Sequence, residues 1–233
     1  MVHVAPHFAL CAPAYGNVGV EIHQRLSHVL LSSGVDKQYE VVLVKTKMAG
    51  VNSRQTAASL KRLGVTVSPE TNEDVNTLVQ AILRDVHCTA LIMAAAICDF
   101  EPVDLQAVGR SGMVEMTKFG KDQQRLHHVE TLTVQMRPSE KIIDGIKLLR
   151  PDITLVTFKT TAGVAETELF AQALYNLQKS QSDFVFANDI QNYQNMVVTA
   201  RGERLLGHDR AATLDLLCEN LIGAITNTAM LIR

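Results

Sequence analysis

Short apolar runs alternate along this chain with amphipathic segments of helical period, and no other feature narrows the fold as far. Phe8–Ala12, Val41–Val44, Val65–Val67, Leu91–Ala96, Ile153–Phe158 and Phe184–Ala187 read as strands. Between them, Val20, Ile22, Leu26, Val29 and Leu30 form one helical stripe, followed by Thr56 to Leu63, and Val75, Leu78, Val79, Ile82 and Leu83 form another. Glu166 to Gln178 and a last helix from near Asp209 complete the set. Strands apolar along their whole length need cover on both faces, which crossover helices supply. The expected fold is therefore α/β: a doubly wound, Rossmann-like, mostly parallel sheet with helices on both faces. Ligands in such folds sit beyond the carboxyl ends of the strands.

The punctuation agrees. Gly34 stands where the first helix should end, Thr71 or Asn72 can cap a later one, and Ser139 precedes a segment holding Ile142, Ile143, Ile146 and Leu149 that Pro151 stops. Met196–Thr199 and Arg204–Leu206 flank Arg201-Gly202-Glu203 as a hairpin. The stretch from Asp99 to Glu130 is polar, carries Gly109, Gly112 and Gly120, and reads as a flexible central flap. No repeat or linker divides the 233 residues, so one nucleotide-binding domain over 1–233 is expected.

Composition removes several classes of function. Lys plus Arg is 22 against 24 acids, a net charge of −2, with none of the basic surplus that phosphate neutralisation on nucleic acid demands. With 47% hydrophobic residues the chain is not disordered. No apolar run is long enough to span a bilayer, and Met1 to Pro6 holds no basic region leading into an apolar stretch. Cys11, Cys88, Cys98 and Cys218 are scattered, the usage of free thiols in a reducing compartment, so a cytoplasmic protein is expected.

Three places can carry chemistry. Gly16-Asn17-Val18-Gly19 stands between the first strand and helix, where glycines let backbone amides reach a phosphate; a turn needing positive φ explains them equally well. Ala94-Ala95-Ala96-Ile97-Cys98-Asp99-Phe100-Glu101-Pro102 puts small residues and a carboxylate at a strand end, suited either to a ring or sugar or to tight packing with a turn Asp. Asn188-Asp189 ends a later strand and faces the same crevice, though Asn-Asp is also ordinary turn chemistry. His127 and His128 are adjacent, so in an extended segment they point apart and cannot share a metal; no metal site is expected. Lys118, Lys121, Arg125, Lys159 and Lys179 are the cations available to phosphate, although each also reads as a solvated surface charge.

In this order the segments resemble the phosphopantothenate–cysteine ligases (phosphopantothenoylcysteine synthetases), in particular their single-function bacterial type. The likeness rests on Ala94 to Pro102, Arg137-Pro138-Ser139-Glu140-Lys141-Ile142-Ile143, Pro151-Asp152 through Thr157-Phe158-Lys159, Val164-Ala165-Glu166-Thr167 and Ser182 to Asp189. It implies a CTP-dependent joining of 4′-phosphopantothenate to cysteine in coenzyme A synthesis. CTP, with Mg²⁺, would turn the carboxylate into an acyl-cytidylate, and cysteine would displace CMP. The resemblance further implies a homodimer, with no nucleic acid and no membrane among its partners. By position it places Gly16, Gly19, Ala95, Ala96, Asp99, Lys141, Ile142, Ile143, Phe158 and Lys179 about the nucleotide, and Lys121, Arg125 and Asn188 in catalysis.

Arg125-Leu126-His127-His128 stands where the family carries its Lys-rich flap. Of the family's front motif, Ala12 to Gly19 keeps only the terminal Gly-x-x-Gly, without the preceding Asn and Arg. That departure favours a rival, a non-catalytic nucleotide-binding protein on the same scaffold. An NAD(P)-dependent oxidoreductase is a further alternative, but the chain lacks its glycine fingerprint and acidic ribose partner.

Overall fold

The structure is a computed structural model of the 233-residue chain, and it describes all residues except 12–13, 48, 50–53, 66–67, 110–111, 117, 124, 127–128 and 232–233. Side chains at 54–57, 109, 113–116 and 227–231 are likewise outside the description. The central sheet has five strands: β3 (Ala90–Ile92), β7 (Thr154–Thr161), β8 (Phe184–Asp189), β9 (Asn195–Thr199) and β10 (Arg204–Leu205), in the order β10-β9-β8-β7-β3. β3, β7 and β8 run parallel, and β9 and β10 add an antiparallel edge through the hairpin at Gly202. The expected doubly wound α/β sheet is present, in a mixed form.

Alternation along β8 shows why both faces are covered. Phe184 and Phe186 point to α1 (Asn17–Ser32) and α6 (Arg210–Leu231), joining Ile22, Leu26, Leu30, Leu214, Leu217 and Leu221. Val185 and Ala187 point the other way, onto Leu169, Ala173 and Leu177 of α5 (Glu166–Ser180). On that second face, α3 (Asn72–Arg84) packs Val75, Val79 and Leu83 against Leu91, Met93 and Leu155. The sequence stripes are the buried stripes. Thr71 is the cap of α3, in a reciprocal capping box with Asp74. α2 (Arg54–Arg62) overlaps the predicted Thr56 to Leu63 segment and begins two residues before it.

Four expectations need correction. Residues 8–10 form β2 (Phe8–Leu10), which pairs with β1 (Val2–Ala5) in a separate two-stranded hairpin instead of entering the central sheet. Among the described residues Val41–Val44 does not join the strands of the sheet, although Val41 packs against the main core. Residues 66–67 of the predicted Val65–Val67 strand lie outside the described residues, as do His127 and His128.

The central flap from Asp99 to Glu130 is largely sheet. β4 (Phe100–Gly109) pairs with β5 (Gly112–Met116) and with β6 (Thr131–Pro138) in a three-stranded antiparallel sheet. Gly109 and Gly112 are partners across the hairpin end, so those glycines mark a turn. Phe119, Leu126 and Val129, from the connection that follows β5, pack on Leu105, Ala107 and Val4. Ser139 is not a helix cap. Its N–H donates to Asp99 O at 2.8 Å, and a short 3-10 turn, Ile142–Gly145, leads into α4 (Ile146–Leu149) without a side-chain cap.

Candidate functional site

At the carboxyl end of β3 the small-residue run meets the start of α1. Gly16, Ala94, Ala95, Ala96 and Ile97 line one cleft, together with Glu70 and Thr46, enclosing about 50 Å³. A water molecule's share of liquid is about 30 Å³, so the enclosed part admits one compact group, such as a phosphoryl. Helix α1 begins at Asn17, earlier than the sequence suggested, so Gly19 lies in its first turn with a Cβ position about 4.0 Å from Ala94 Cβ. Gly16 immediately precedes the helix at φ 81 and, having no side chain, does not itself cap the first amides. The first turn carries no acidic residue. Such a helix start bears partial positive charge directed into the cleft.

Gly16 is required twice over. An L residue is strained at this φ, and its Cβ would stand 2.8 Å from Ala49 Cβ. Gly16→Ala is expected to cost about 1–3 kcal/mol and to weaken anion binding at the cleft. A thermal melt read beside a pyrophosphate titration checks both effects.

The other wall is held by a residue that the sequence offered only as an alternative helix cap. Asn72 Nδ2 donates to Cys98 O at 2.8 Å, and Cys98 N–H donates to Asn72 Oδ1 at 3.3 Å. This two-way latch fastens the Ala94–Cys98 loop to the start of α3. Its only sequence signal was the polar residue beside the Thr71 cap.

Glu70, which the sequence reading missed, accepts from Lys47 Nζ at 2.9 Å and lies 3.3 Å from His3 Nε2. Lys47 holds the Glu70 carboxyl below its ordinary range; burial opposes this and His3 adds to it. The Asp74 carboxyl is also lowered. Burial pushes it up, but the Thr71 and Glu70 N–H groups and the Thr71 hydroxyl outweigh that, with the charge of Lys121 adding.

Placement of the remaining candidates is uneven. Asp99 and Lys141 form an exposed ion pair just beyond the small-residue run. Ile142 and Ile143 pack into the core cluster of α3 and β3. Lys121 and Arg125 are exposed on the segment after β5. Phe158 lies on the α1 face, its ring 5.7 Å from that of Phe186. Asn188 accepts from the Thr160 hydroxyl at 2.9 Å at the carboxyl end of β8.

The ends of β3 and β8 both lie toward the carboxyl edge of the sheet with β7 between them, but they are not level: Ile92 is opposite Val156 and Asn188 opposite Thr160, about 13 Å further along β7 at ordinary strand rise. Lys179 is elsewhere. It sits in the last turn of α5, beside the start of β8, paired with Asp144 at 2.7 Å, which raises its pKa. A larger cavity of about 230 Å³ opens between Tyr193–Met196 and Leu206–Asp209 at the far sheet edge and holds none of the sequence candidates.

Comparison with known proteins agrees with this architecture. No protein-family model matches the chain. Over 151 residues it is 27% identical to the coenzyme A biosynthesis bifunctional protein CoaBC of Thermococcus kodakarensis, covering 64% of this chain and 32% of that protein. The chain thus spans about a third of the length of this curated relative.

Three solved structures share the fold. The DNA/pantothenate metabolism flavoprotein from Streptococcus pneumoniae has a TM-score of 0.63 at 21% identity, covering 97% of this chain and 98% of that one. The C-terminal domain of a CoaBC protein gives 0.60 at 16% identity, covering 98% and 89%. A Cab2 variant in complex with phosphopantothenate-cysteine gives 0.55 at 12% identity, covering 98% and 84%.

The fold these chains share is Rossmann-like α/β. Within that class, the chain resembles the phosphopantothenate–cysteine ligases: the motifs from Ala94 to Asp189 and the CoaBC match point the same way.

Proposed function

We propose that this chain is a phosphopantothenate–cysteine ligase of coenzyme A synthesis that uses CTP, works as a homodimer and resides in the cytoplasm. The observation that carries the reading is the meeting of the Gly16 helix start and Ala94–Ile97 in one cleft, two features that the sequence singled out separately. A carboxylate is a poor electrophile at neutral pH. Its oxygen attacks the α-phosphorus of CTP and pyrophosphate leaves; the cysteine amine then attacks the acyl carbon, CMP leaves, and the amine gives up a proton.

The protein's contribution is alignment and charge stabilisation. The α1 amides and Gly16 receive a phosphoryl group, while Asp99 with Lys141 borders the ribose and base. Lys121 and Arg125 bring positive charge from the segment after β5, and the Asn188 amide faces the same strand-end edge. Magnesium, which keeps several waters and binds largely through phosphate oxygens, arrives on the triphosphate. The cleft's Glu70 is already engaged by Lys47 and His3.

Pyrophosphate release from CTP that requires phosphopantothenate, followed by CMP release that requires cysteine, is the expected result. The absence of the family's Asn and Arg before Gly16 favours the second reading, a nucleotide binder without chemistry. CTP binding with no turnover by folded protein selects it. Asp99→Ala is expected to weaken CTP binding about tenfold. It should leave the melting temperature nearly unchanged, because an exposed ion pair contributes about 0–1 kcal/mol. Unchanged affinity in a calorimetric titration removes Asp99 from the pocket.

A further inference from the structure

Lys47 belongs to the rim of the cleft, although no motif pointed to it. Its neighbour Thr46 lines the cleft, and two residues on, Ala49 stands over Gly16. The Lys47 N–H donates to Pro69 O at 2.8 Å and its amine to Glu70 Oε2 at 2.9 Å, so both its main chain and its side chain are tied to the Pro69–Glu70 segment. The Lys47 side chain is 64% exposed against 18% for Glu70, and it reaches the cleft through that residue, which lines it. Glu70 is itself placed from several directions. Its N–H donates to Asp74 Oδ2, its carbonyl accepts from the Met1 amine, and Oε1 lies against His3. Among the described residues that line the cleft it is the sole carboxylate, set beside a helix start that otherwise favours an anion.

We propose that Lys47 is the anion-binding cation of this cleft and that Glu70 is the carboxylate that competes with the anion for it. A phosphoryl group entering at the start of α1 draws the ammonium away from the Glu70 carboxylate, so the ion pair competes with the ligand. This rests on the phosphate reading of the cleft and adds the pair that sets its affinity.

The two partners therefore have opposite effects on binding. In the full chain, Lys47→Ala is expected to weaken pyrophosphate and CTP about tenfold and to flatten the salt dependence of binding. Lys47→Arg restores most of the affinity. Glu70→Gln removes the competing charge and tightens both ligands several-fold. Melts without ligand confirm that each variant is folded, and Lys47→Gln serves as a second charge-removing variant.

Wild-type binding that Lys47→Ala and Lys47→Gln leave unchanged overturns the role of Lys47 while the cleft reading stands. Glu70→Gln weakening pyrophosphate as much as Lys47→Ala does overturns the competing role of Glu70. Failure of the wild-type chain to bind either CTP or pyrophosphate removes the cleft reading, and this inference with it.

Discussion

Asp189→Ala is expected to lower the melting temperature by on the order of 10 °C. The Asp189 side chain is buried and collects five donors. Gly163, Gln191 and Asn192 N–H donate to Oδ1, and Val164 N–H and the Thr161 hydroxyl donate to Oδ2, all within 2.7–3.0 Å. These donors come from the last residue of β7, the loop before α5 and the turn after β8, so one carboxylate ties two connections to the carboxyl edge of the sheet. Alanine would leave four backbone amides and a hydroxyl to find water in a place that excludes it.

The same contacts predict the pH dependence. Burial pushes the Asp189 carboxyl up, but the Asn192, Val164 and Gly163 N–H groups and the Thr161 hydroxyl outweigh it, leaving the folded-state value well below the ordinary one. A depressed carboxyl contributes stability that is fully present above the unfolded-state pKa and is lost as pH falls toward the folded value. The loss therefore begins near pH 4 and deepens below it. Asp189→Asn cannot accept through both side-chain atoms, so it should melt between wild type and Asp189→Ala. Relative to wild type, it should lose less stability on acidification from pH 6 to pH 3. Equal acid sensitivity of the two proteins contradicts the assignment.

Arg150→Ala is expected to destabilise by about 2–4 kcal/mol, or about 6–12 °C in melting temperature. The Arg150 guanidinium donates to the carbonyls of Leu83, Asp85 and Cys88, each at 3.1 Å, closing the end of α3 where helix carbonyls lack partners. Its Nε and Nη2 grip the Asp152 carboxylate at 2.8 and 2.7 Å, and that pair raises the arginine's pKa. Arg150→Lys should recover little, because a single ammonium cannot span the positions that a planar fork reaches. Asp152→Ala should cost far less, since Asp152 is 66% exposed. Chemical denaturation of the three variants tests that order, and a lysine variant as stable as wild type would contradict it.

The contrast between these residues shows what the sequence could reveal. Strands β7 and β8 and helices α1, α3, α5 and α6 were legible because a buried stripe of fixed period is written locally. So was a cap at Thr71 or Asn72, of which the structure selects Thr71 and adds a reciprocal bond with Asp74 three residues on. Partner choice was not legible. Phe8–Leu10 reads as a strand wherever it pairs, and nothing nearby tells a two-stranded hairpin from the central sheet. β4 escaped notice for a different reason. Its register slips between Pro102 and Asp104, so the period-two pattern leading to Leu105 and Ala107 is broken in mid-strand, and the polar residues between read as loop.

The site divides the same way. Gly16 and Ala94–Ile97 were visible because small residues at a strand end or helix start are a local requirement. Asn72, Glu70 and Lys47 act across 26, 67 and 23 residues of sequence, on Cys98, His3 and Glu70 respectively, and such pairings exist only once the chain has folded. Lys179 shows the opposite error. A suitable cation in a suitable segment lies at the wrong end of its helix, because α5 runs antiparallel to the strands it covers.

Backbone amide exchange with and without CTP tests the central claim most directly, because it reports where on the chain a nucleotide sits without presupposing turnover. The account predicts that CTP slows exchange at residues 14–20, 46–49 and 94–98 together. Protection confined to residues 193–196 and 206–213, around the larger cavity at the far sheet edge, would contradict it.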